Sequence, residues 1–468
     1  MISNKTKIIA TVGPSCSSIP KLNKMITAGV NAFRVNMSYG NQAEKENLIR
    51  LVKKLKMKNG ERPCIIVDLS GPKIRVKDVD TNFNIKSGQK INIRSSGKSN
   101  SNTIIVNQGI KFSKIEKGAG IKINDGRIQL KVEKKISSTQ LQCITVIGGT
   151  IQKGKGVNFP GVMLQLPALT TQDVEDLKLA IREEVDWIAL SFVRSANDKT
   201  IIDRIMKRAK ARIPVIAKIE KWEALQDLEA IISKFDAVMV ARGDLGVETP
   251  PEQVPLAQKK IIQLANHEGK PVIIATQMLE SMISEPIPTR AEVSDIANAI
   301  FDGADALMVT GETAIGNFPV EVIKVLNKVV FETERTIDFD TVRQSIGRNN
   351  TADAISHATC QVAQDISASC IVTMTHSGST ALMISRYRPN VPVVALTPIA
   401  STCRKLSIVW GISPLTIEEY QGADDIPRIV ERTLKSKKLV KPGKRYVITG
   451  GVPVGVPGTT NYLTILKV

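Results

Sequence analysis

Short apolar runs alternate with helix-period segments along the first seventy residues. TKIIATVG reads as a strand, IPKLNKMITAGVN as a helix and AFRVNMS as a second strand. NQAEKENLIRLVKKLKMKNG follows as a helix ending in glycine, and CIIVDLS is a third strand. From about Pro72 to Gln165 the texture changes. KINIRSS, NTIIVN, IKINDGRIQLKVEKK and LQCITVIGG are short runs bearing Val, Ile and Thr, divided by Gly, Asn and Ser. That pattern predicts a small inserted β-domain, with Asp125-Gly126 at the centre of a hairpin turn.

After LPALT the strand–helix rhythm resumes. TTQDVEDLKLAIREEV is an amphipathic helix, with Thr171 as candidate N-cap and Glu175 in its early turns. WIALSFV, PVIAKIE, AVMVARGD, PVIIATQ and ALMVTGE read as five buried strands, separated by helices such as ANDKTIIDRIMKRAKA and RAEVSDIANAIFDG. Three strands before the insertion and five after it make eight, the count of a (β/α)8 barrel. An open doubly wound sheet would alternate in the same way. The count, and the lack of G-x-G-x-x-G after the first strand, favour the barrel. Beyond Ile337, ADAISHATCQVAQDI, CIVTMTHSGS, VPVVALTP and RYVITG predict an α/β unit with an open sheet. The expected architecture is a TIM barrel from 1–71 and 166–337, a β-barrel lid domain at 72–165 and a C-terminal α/β domain at 338–468.

Composition narrows the classes. The chain has 468 residues, 42% hydrophobic and 23% charged, which suits a globular protein of several domains. No stretch of about 18 apolar residues marks a membrane span. MISNKTKIIATVG makes a poor signal peptide, so a cytoplasmic location is expected. Cys16, Cys64, Cys143, Cys360, Cys370 and Cys403 form no C-x-x-C pair, against a thiolate zinc site. The three histidines are His267, His357 and His376, too few and too late for a triad among the barrel strands. The net charge is +19, but the basic residues read as interleaved with acids, and aromatics are only 4%. No stacking platform for nucleic acid is visible, and none is expected as a partner.

Barrel active sites lie at the C-terminal strand ends. Arg34, Asn36 and Ser38 alternate on the second strand and share a face. Asp68 and Ser70 end the third strand, and Ser191-Phe192 the fourth. Lys218 and Glu220 are co-facing on the fifth. Arg242-Gly243-Asp244, Thr276-Gln277 and Thr310-Gly311-Glu312 end the last three. Glu220 and Asp244 are hard oxygen ligands suited to Mg²⁺ or Mn²⁺. Arg34, Lys218 and Arg75 are cations suited to phosphate. A charged residue at one strand end is usually a solvated ion pair. So many converging on one mouth match the needs of phosphoryl transfer.

The motifs TKIIATVGP, AFRVNMS, DLSGPKIR, KGVNFPG, SFVRSANDK, IAKIE, VARGDLGVE, IATQMLESM and TGETAIG occur in this order. With TMTHSGSTA, ISRYRP and GVPVGVPGTTN they span the chain, which resembles the pyruvate kinases. The resemblance implies phosphoryl transfer from phosphoenolpyruvate to ADP, giving pyruvate and ATP. It places Mg²⁺ (or Mn²⁺) on Glu220 and Asp244. Lys218 would stabilise the transferring group and the enolate oxygen, and Arg34 would hold the substrate phosphate. Gly243, Asp244 and Thr276 would line the carboxylate pocket, with the Thr276 hydroxyl near enolate protonation. Asn36, Arg75 and Lys155 would serve the nucleotide. The inserted domain would close as a lid. A homotetramer is the family habit.

Two departures from the family pattern stand out. Tyr39 replaces a histidine associated with nucleotide contact. Where many members read D-T-K-G-P-E-I-R and bind K⁺ near positions matching Asn36, Ser38 and Asp68, this chain has Leu69 and Lys73. Lys73 is therefore expected to supply the charge of K⁺, which would not be required; the alternative leaves Lys73 in solvent on the lid hinge. The loop Thr375-His376-Ser377-Gly378-Ser379-Thr380 suits a phosphate before a helix, and in the family it binds phosphorylated effectors. It could equally be a helix start capped by Ser377 or Ser379. The arginine usual after Thr-Ala in this loop is Leu382 here. Other readings are a metal-dependent aldolase or lyase barrel, which would need neither lid nor Lys155, and a non-enzymatic binding protein.

Overall fold

The computed structural model describes residues 4–80, 83–107, 109–164, 166–337, 350–420, 422–454 and 459–468. Eight parallel strands close into a barrel: Lys7–Val12, Ala32–Asn36, Cys64–Asp68, Trp187–Leu190, Val215–Ile219, Ala237–Ala241, Val272–Ala275 and Ala306–Val309. They are called the first to eighth barrel strands below. The first pairs with both the second and the eighth, which completes the ring. Most of their residues are buried, because helices cover the outside and side chains fill the inside. That is why they read as unbroken apolar runs rather than as alternating ones.

The helices between them start where side chains can cap free N–H groups. Asn41 with Glu44, Thr170 with Asp173 and Thr289 with Glu292 each form a reciprocal capping box. The cap of the third of the outer helices, Thr171–Arg182, is thus Thr170 and not the expected Thr171; the returning acid is Asp173, not Glu175. The helix beginning at Gln42 ends at Lys53, well before the glycine expected to close it. The chain turns instead, with Met57 N donating to Glu61 O, and Gly60 takes a positive φ of 94° within that turn.

The insertion forms a seven-stranded sheet in the order 157–158, 120–123, 128–137, 140–147, 90–94, 103–106, 76–78. It wraps its own core, which includes Ile74, Phe112, Ile121, Leu130, Cys143 and Phe159. The Asn124–Arg127 turn joins Gly120–Ile123 to Ile128–Ser137, with Asp125 at φ 56° and Gly126 at φ 84°. Two adjacent segments carry the insertion. Val157 N donates to Ile74 O, and Val76 N to Lys155 O, so chain entry and exit form one hydrogen-bonded ribbon. The basic residues are less evenly spread than expected: residues 72–165 hold 17 Lys and Arg against 5 Asp and Glu, which is +12 of the total +19.

The last unit is a five-stranded open sheet ordered 412–416, 393–397, 371–374, 445–451, 460–467. Four strands are parallel and the last is antiparallel. The expected start of this unit at residue 338 lies outside the described residues. It covers the closed end of the barrel, opposite the strand ends. Arg404 pairs with Asp186, Arg388 with Asp305, and the Trp187 indole N–H donates to Lys405 O. Among the described residues, no helix is long and apolar enough to cross a membrane.

Candidate active site

Lys218 is the centre of a buried charge cluster at the barrel mouth. The fifth strand aims it inward, where Nζ lies 3.1 Å from Asp68 Oδ1 and 3.0 Å from Glu220 Oε1. It also donates to Ser191 Oγ at 2.7 Å. Burial alone would lower its pKa, but the Asp68 and Glu220 carboxylates outweigh that and hold the ammonium above its ordinary value. Lys218 therefore stays charged at neutral pH.

Asp68 spans two cations. Its Oδ2 accepts from Arg34 Nε at 2.8 Å, while Oδ1 faces Lys218. Burial pushes its carboxyl up, yet Lys218 and Arg34 together bring it below the usual carboxylate range. Arg34 is further fixed by donation to Thr11 Oγ1 at 3.1 Å. One acid thus orients both cations. Ser191 joins the same network, donating to Leu69 O at 2.7 Å. Its strand-end position was readable in the sequence, but its role was not.

Across the mouth, Gly243 N donates to Thr276 Oγ1 at 2.9 Å, so the sixth and seventh strands meet there. A Cβ on Gly243 would stand 3.5 Å from Thr276 Oγ1. Asp244 lies in the short helix Arg242–Glu248 after the sixth strand, and its Oδ1 accepts from Lys73 Nζ at 2.8 Å. These residues line a cleft of about 920 Å³ between barrel and lid, with Asp125 and Arg127 of the lid hairpin on its far side. The lid is latched over it. Lys122 Nζ donates to Val247 O and Asn158 Nδ2 to Glu248 Oε1, each at 2.7 Å.

Among the described residues no group of three or more His, Cys, Asp or Glu is gathered as a metal site, so the donor set for a divalent cation is the two hard-oxygen carboxylates of Glu220 and Asp244. Glu220 is buried, its Oε2 accepts from Phe192 N at 2.7 Å, and its other oxygen faces Lys218. Burial pushes its carboxyl up despite Lys218, and the Asp244 and Asp68 carboxylates push the same way. Carboxylates crowded enough to disfavour one another's charge are where an oxygen-seeking cation is stabilised. Glu220 and Asp244 are the residues that would hold it.

Other expected site residues stand apart from that cluster. Asn36 Oδ1 accepts from Ser38 N, and Ser38 is exposed. Arg75 is exposed on the lid ribbon and donates to Gly154 O, beside Lys155. Neither Arg75 nor Lys155 lines the cleft. Lys73 is not in open solvent: it pairs with Asp244 and lies 5.8 Å from the Phe192 ring centroid. In the C-terminal loop, Thr375 Oγ1 accepts from Gly378 N, Ser377 Oγ donates to Ser379 Oγ, and Thr380 bonds Thr460. Gly378, at φ 93°, occupies the N-cap of Ser379–Arg386, so neither serine caps that helix.

Against known proteins, a family model for the pyruvate kinase barrel domain matches residues 3–323, and one for the pyruvate kinase alpha/beta domain matches 353–466. The chain belongs to the pyruvate kinase family. It is 43% identical to the pyruvate kinase of Thermotoga maritima, over 99% of both chains. It is 40% identical to pyruvate kinase 2 of Synechocystis, over 99% of this chain and 79% of the relative. A solved pyruvate kinase from Cryptosporidium parvum superposes with a TM-score of 0.91 at 32% identity, covering 99% of this chain and 96% of that one. The enzyme is a glycolytic phosphotransferase that moves the phosphoryl group of phosphoenolpyruvate to ADP, yielding pyruvate and ATP.

Proposed function

We propose that phosphoenolpyruvate binds with its phosphate against Arg34 and Lys218 and its carboxylate against Gly243, Asp244 and Thr276. The contact that carries this reading is Lys218 Nζ, a buried ammonium held between Asp68, Glu220 and Ser191. A terminal oxygen of ADP attacks phosphorus, the bond to the enol oxygen breaks, and that oxygen leaves as an enolate. Lys218 faces the charge that builds on the transferring group and the enolate, in a site too buried for water to screen it. Asp68 keeps Lys218 and Arg34 in place through both stages. The enolate carbon then takes a proton from water beside the Thr276 hydroxyl. Mg²⁺ or Mn²⁺, held by Glu220 and Asp244, supplies further charge stabilisation when bound.

Asn36, Arg75 and Lys155 are assigned to the nucleotide, the last two from the lid ribbon beside the cleft. Lys73 takes the part of the K⁺ that the family binds near Asn36, Ser38 and Asp68; the support is an ammonium that the lid ribbon directs into the cleft, onto Asp244. Thr375, Ser377, Gly378, Ser379 and Thr380 form a phosphate loop for an effector, supported by the hydroxyls and N–H groups gathered at the start of the helix Ser379–Arg386, where Gly378 brings no capping side chain. We further place the enzyme in the cytoplasm as a homotetramer.

The test is ATP formation from phosphoenolpyruvate and ADP by wild type and Lys218→Met. Turnover should fall by about 10²–10³, the usual cost of removing one preorganised charge-stabilising donor. Undiminished turnover in the variant would remove Lys218 from the mechanism.

A further inference from the structure

The seventh barrel strand ends in a strained step. Thr276 has φ 69° and Gln277 φ 54°, two successive left-handed residues without glycine. For a β-branched residue this conformation is costly, and it persists only where neighbours impose it. The neighbour here is Arg242, which precedes Gly243 just after the sixth strand. Its Nη2 donates to Thr276 O at 2.8 Å and to Gln277 O at 3.0 Å, and Nε reaches Thr276 O at 3.3 Å. Nη1 is in turn paired with Asp295 on the following helix. Arg242 is itself buried, so its fork has little freedom to leave these carbonyls.

The consequence falls on one hydroxyl. Thr276 Oγ1 accepts from Gly243 N at 2.9 Å and donates to Ala275 O at 2.6 Å. Its proton is committed to its own strand, so toward the cleft it offers a lone pair. That orientation exists only while Thr276 stays left-handed.

We propose that Arg242, braced by Asp295, is a positioning residue for the proton-transfer half of the reaction. It holds the Thr276–Gln277 backbone in the left-handed form and so aims the Thr276 hydroxyl at the water that exchanges protons with the enolate carbon. This inference rests on the reading that Thr276 stands near enolate protonation. Arg242 does not touch the substrate. In the reverse sense, a methyl C–H bond of pyruvate breaks, the proton passes to water, and the electron pair becomes the enolate; solvent then returns a hydron to the same carbon.

The experiment follows that exchange directly. Full-length enzyme with Mg²⁺, pyruvate and inorganic phosphate is placed in D₂O, and deuterium entry into the pyruvate methyl is recorded by NMR beside ATP formation from phosphoenolpyruvate. Arg242→Lys keeps the charge but loses the planar fork that reaches both carbonyls and Asp295 at once. It should slow exchange by about tenfold or more, since misplacement by an ångström can cost about 10²-fold. The KM for phosphoenolpyruvate should stay within about threefold, as expected when ground-state binding is spared. Asp295→Asn, which leaves the fork in place, should give a smaller loss of the same kind and serves if Arg242→Lys does not fold. Gln277→Gly accepts a positive φ without strain and should restore part of the exchange in the Arg242→Lys background.

Exchange at the wild-type rate in Arg242→Lys overturns the proposal. So does an equal loss of exchange and of substrate affinity, or a loss that Gln277→Gly leaves untouched. Thr276→Val is the separate control: wild-type exchange there removes the reading of Thr276, whatever Arg242 does.

Discussion

Lys73 Nζ lies 2.8 Å from Asp244 Oδ1, so a cation on the lid ribbon is hydrogen-bonded to a carboxylate at the barrel mouth. Lys73 takes the place of an acid in DLSGPKIR, and its charge lands on Asp244 beside the Phe192 ring rather than in open solvent. Replacing it with Glu should leave that neighbourhood short of one positive charge. Lys73→Glu is expected to lose turnover in a bulky-cation buffer and to recover about tens-fold on adding K⁺ at matched ionic strength, while wild type stays nearly indifferent. Strong K⁺ activation of wild type would refute the surrogate role.

Association with anionic substrates should depend on salt. Seventeen basic residues against five acidic ones crowd residues 72–165, and Lys111, Lys114 and Lys117 are all exposed there. A field of one sign beside a cleft raises encounter rates and is screened over about 10 Å at 0.1 M salt. We expect kcat/KM to fall several-fold, roughly 3–10-fold, between low and high concentrations of an inert salt, with kcat changed much less. The triple variant K111E/K114E/K117E should flatten that dependence. A flat wild-type profile would show that the lid charge does not steer substrate.

Lys7 gives a pH-dependent stability. Its ammonium is buried under the barrel and donates to Ile412 O of the C-terminal unit at 2.8 Å. Burial lowers its pKa to about 8, against a smaller upward pull from Glu334 and Asp305. In the unfolded chain it titrates near 10.4. Below pH 8 both states are protonated, and the folded state bears the cost of the buried charge. Between pH 8 and about 10.4 the unfolded state binds more protons, so this group's contribution to stability rises with pH, by about 3 kcal/mol in all. Lys7→Met removes the dependence. Its stability relative to wild type should therefore be most favourable near pH 7 and decline through pH 9 in urea unfolding. A relative stability that does not change over that range would contradict the buried-charge account.

The barrel was legible because its strands are buried on both faces and punctuated by caps and turns. Lys218 and Glu220 were legible because residues two apart on a strand share a face. What the sequence left unread depends on distant partners. Nothing in VARGDLGVE says that Arg242 will hold the carbonyls of Thr276 and Gln277, which lie more than thirty positions on. Nothing in SFVRSANDK shows that Ser191 will join Asp68 to Lys218. The cap at Thr170 was missed by one residue for a local reason, since TT offers two hydroxyls and only the return of Asp173 chooses between them. Two strands at the end of the chain, 412–416 and 460–467, escaped notice because their alternating burial is weaker than that of the barrel runs.

The ribbon at residues 74–76 and 155–157 also bears on how such a chain could arise. Because the lid leaves and re-enters the barrel at paired positions, with Arg75 opposite Gly156, the barrel sees a loop whose ends are already joined. Closing a loop costs entropy that grows only slowly with its length, about 0.6 kcal/mol per doubling. A whole domain can therefore occupy a βα connection at nearly the energetic burden of a long loop. The lid has its own apolar core, so it can change in size or charge without disturbing the strands beneath. Chemistry and access are thus inherited as separable parts: one ring of strand ends, and one cover that evolution can retailor.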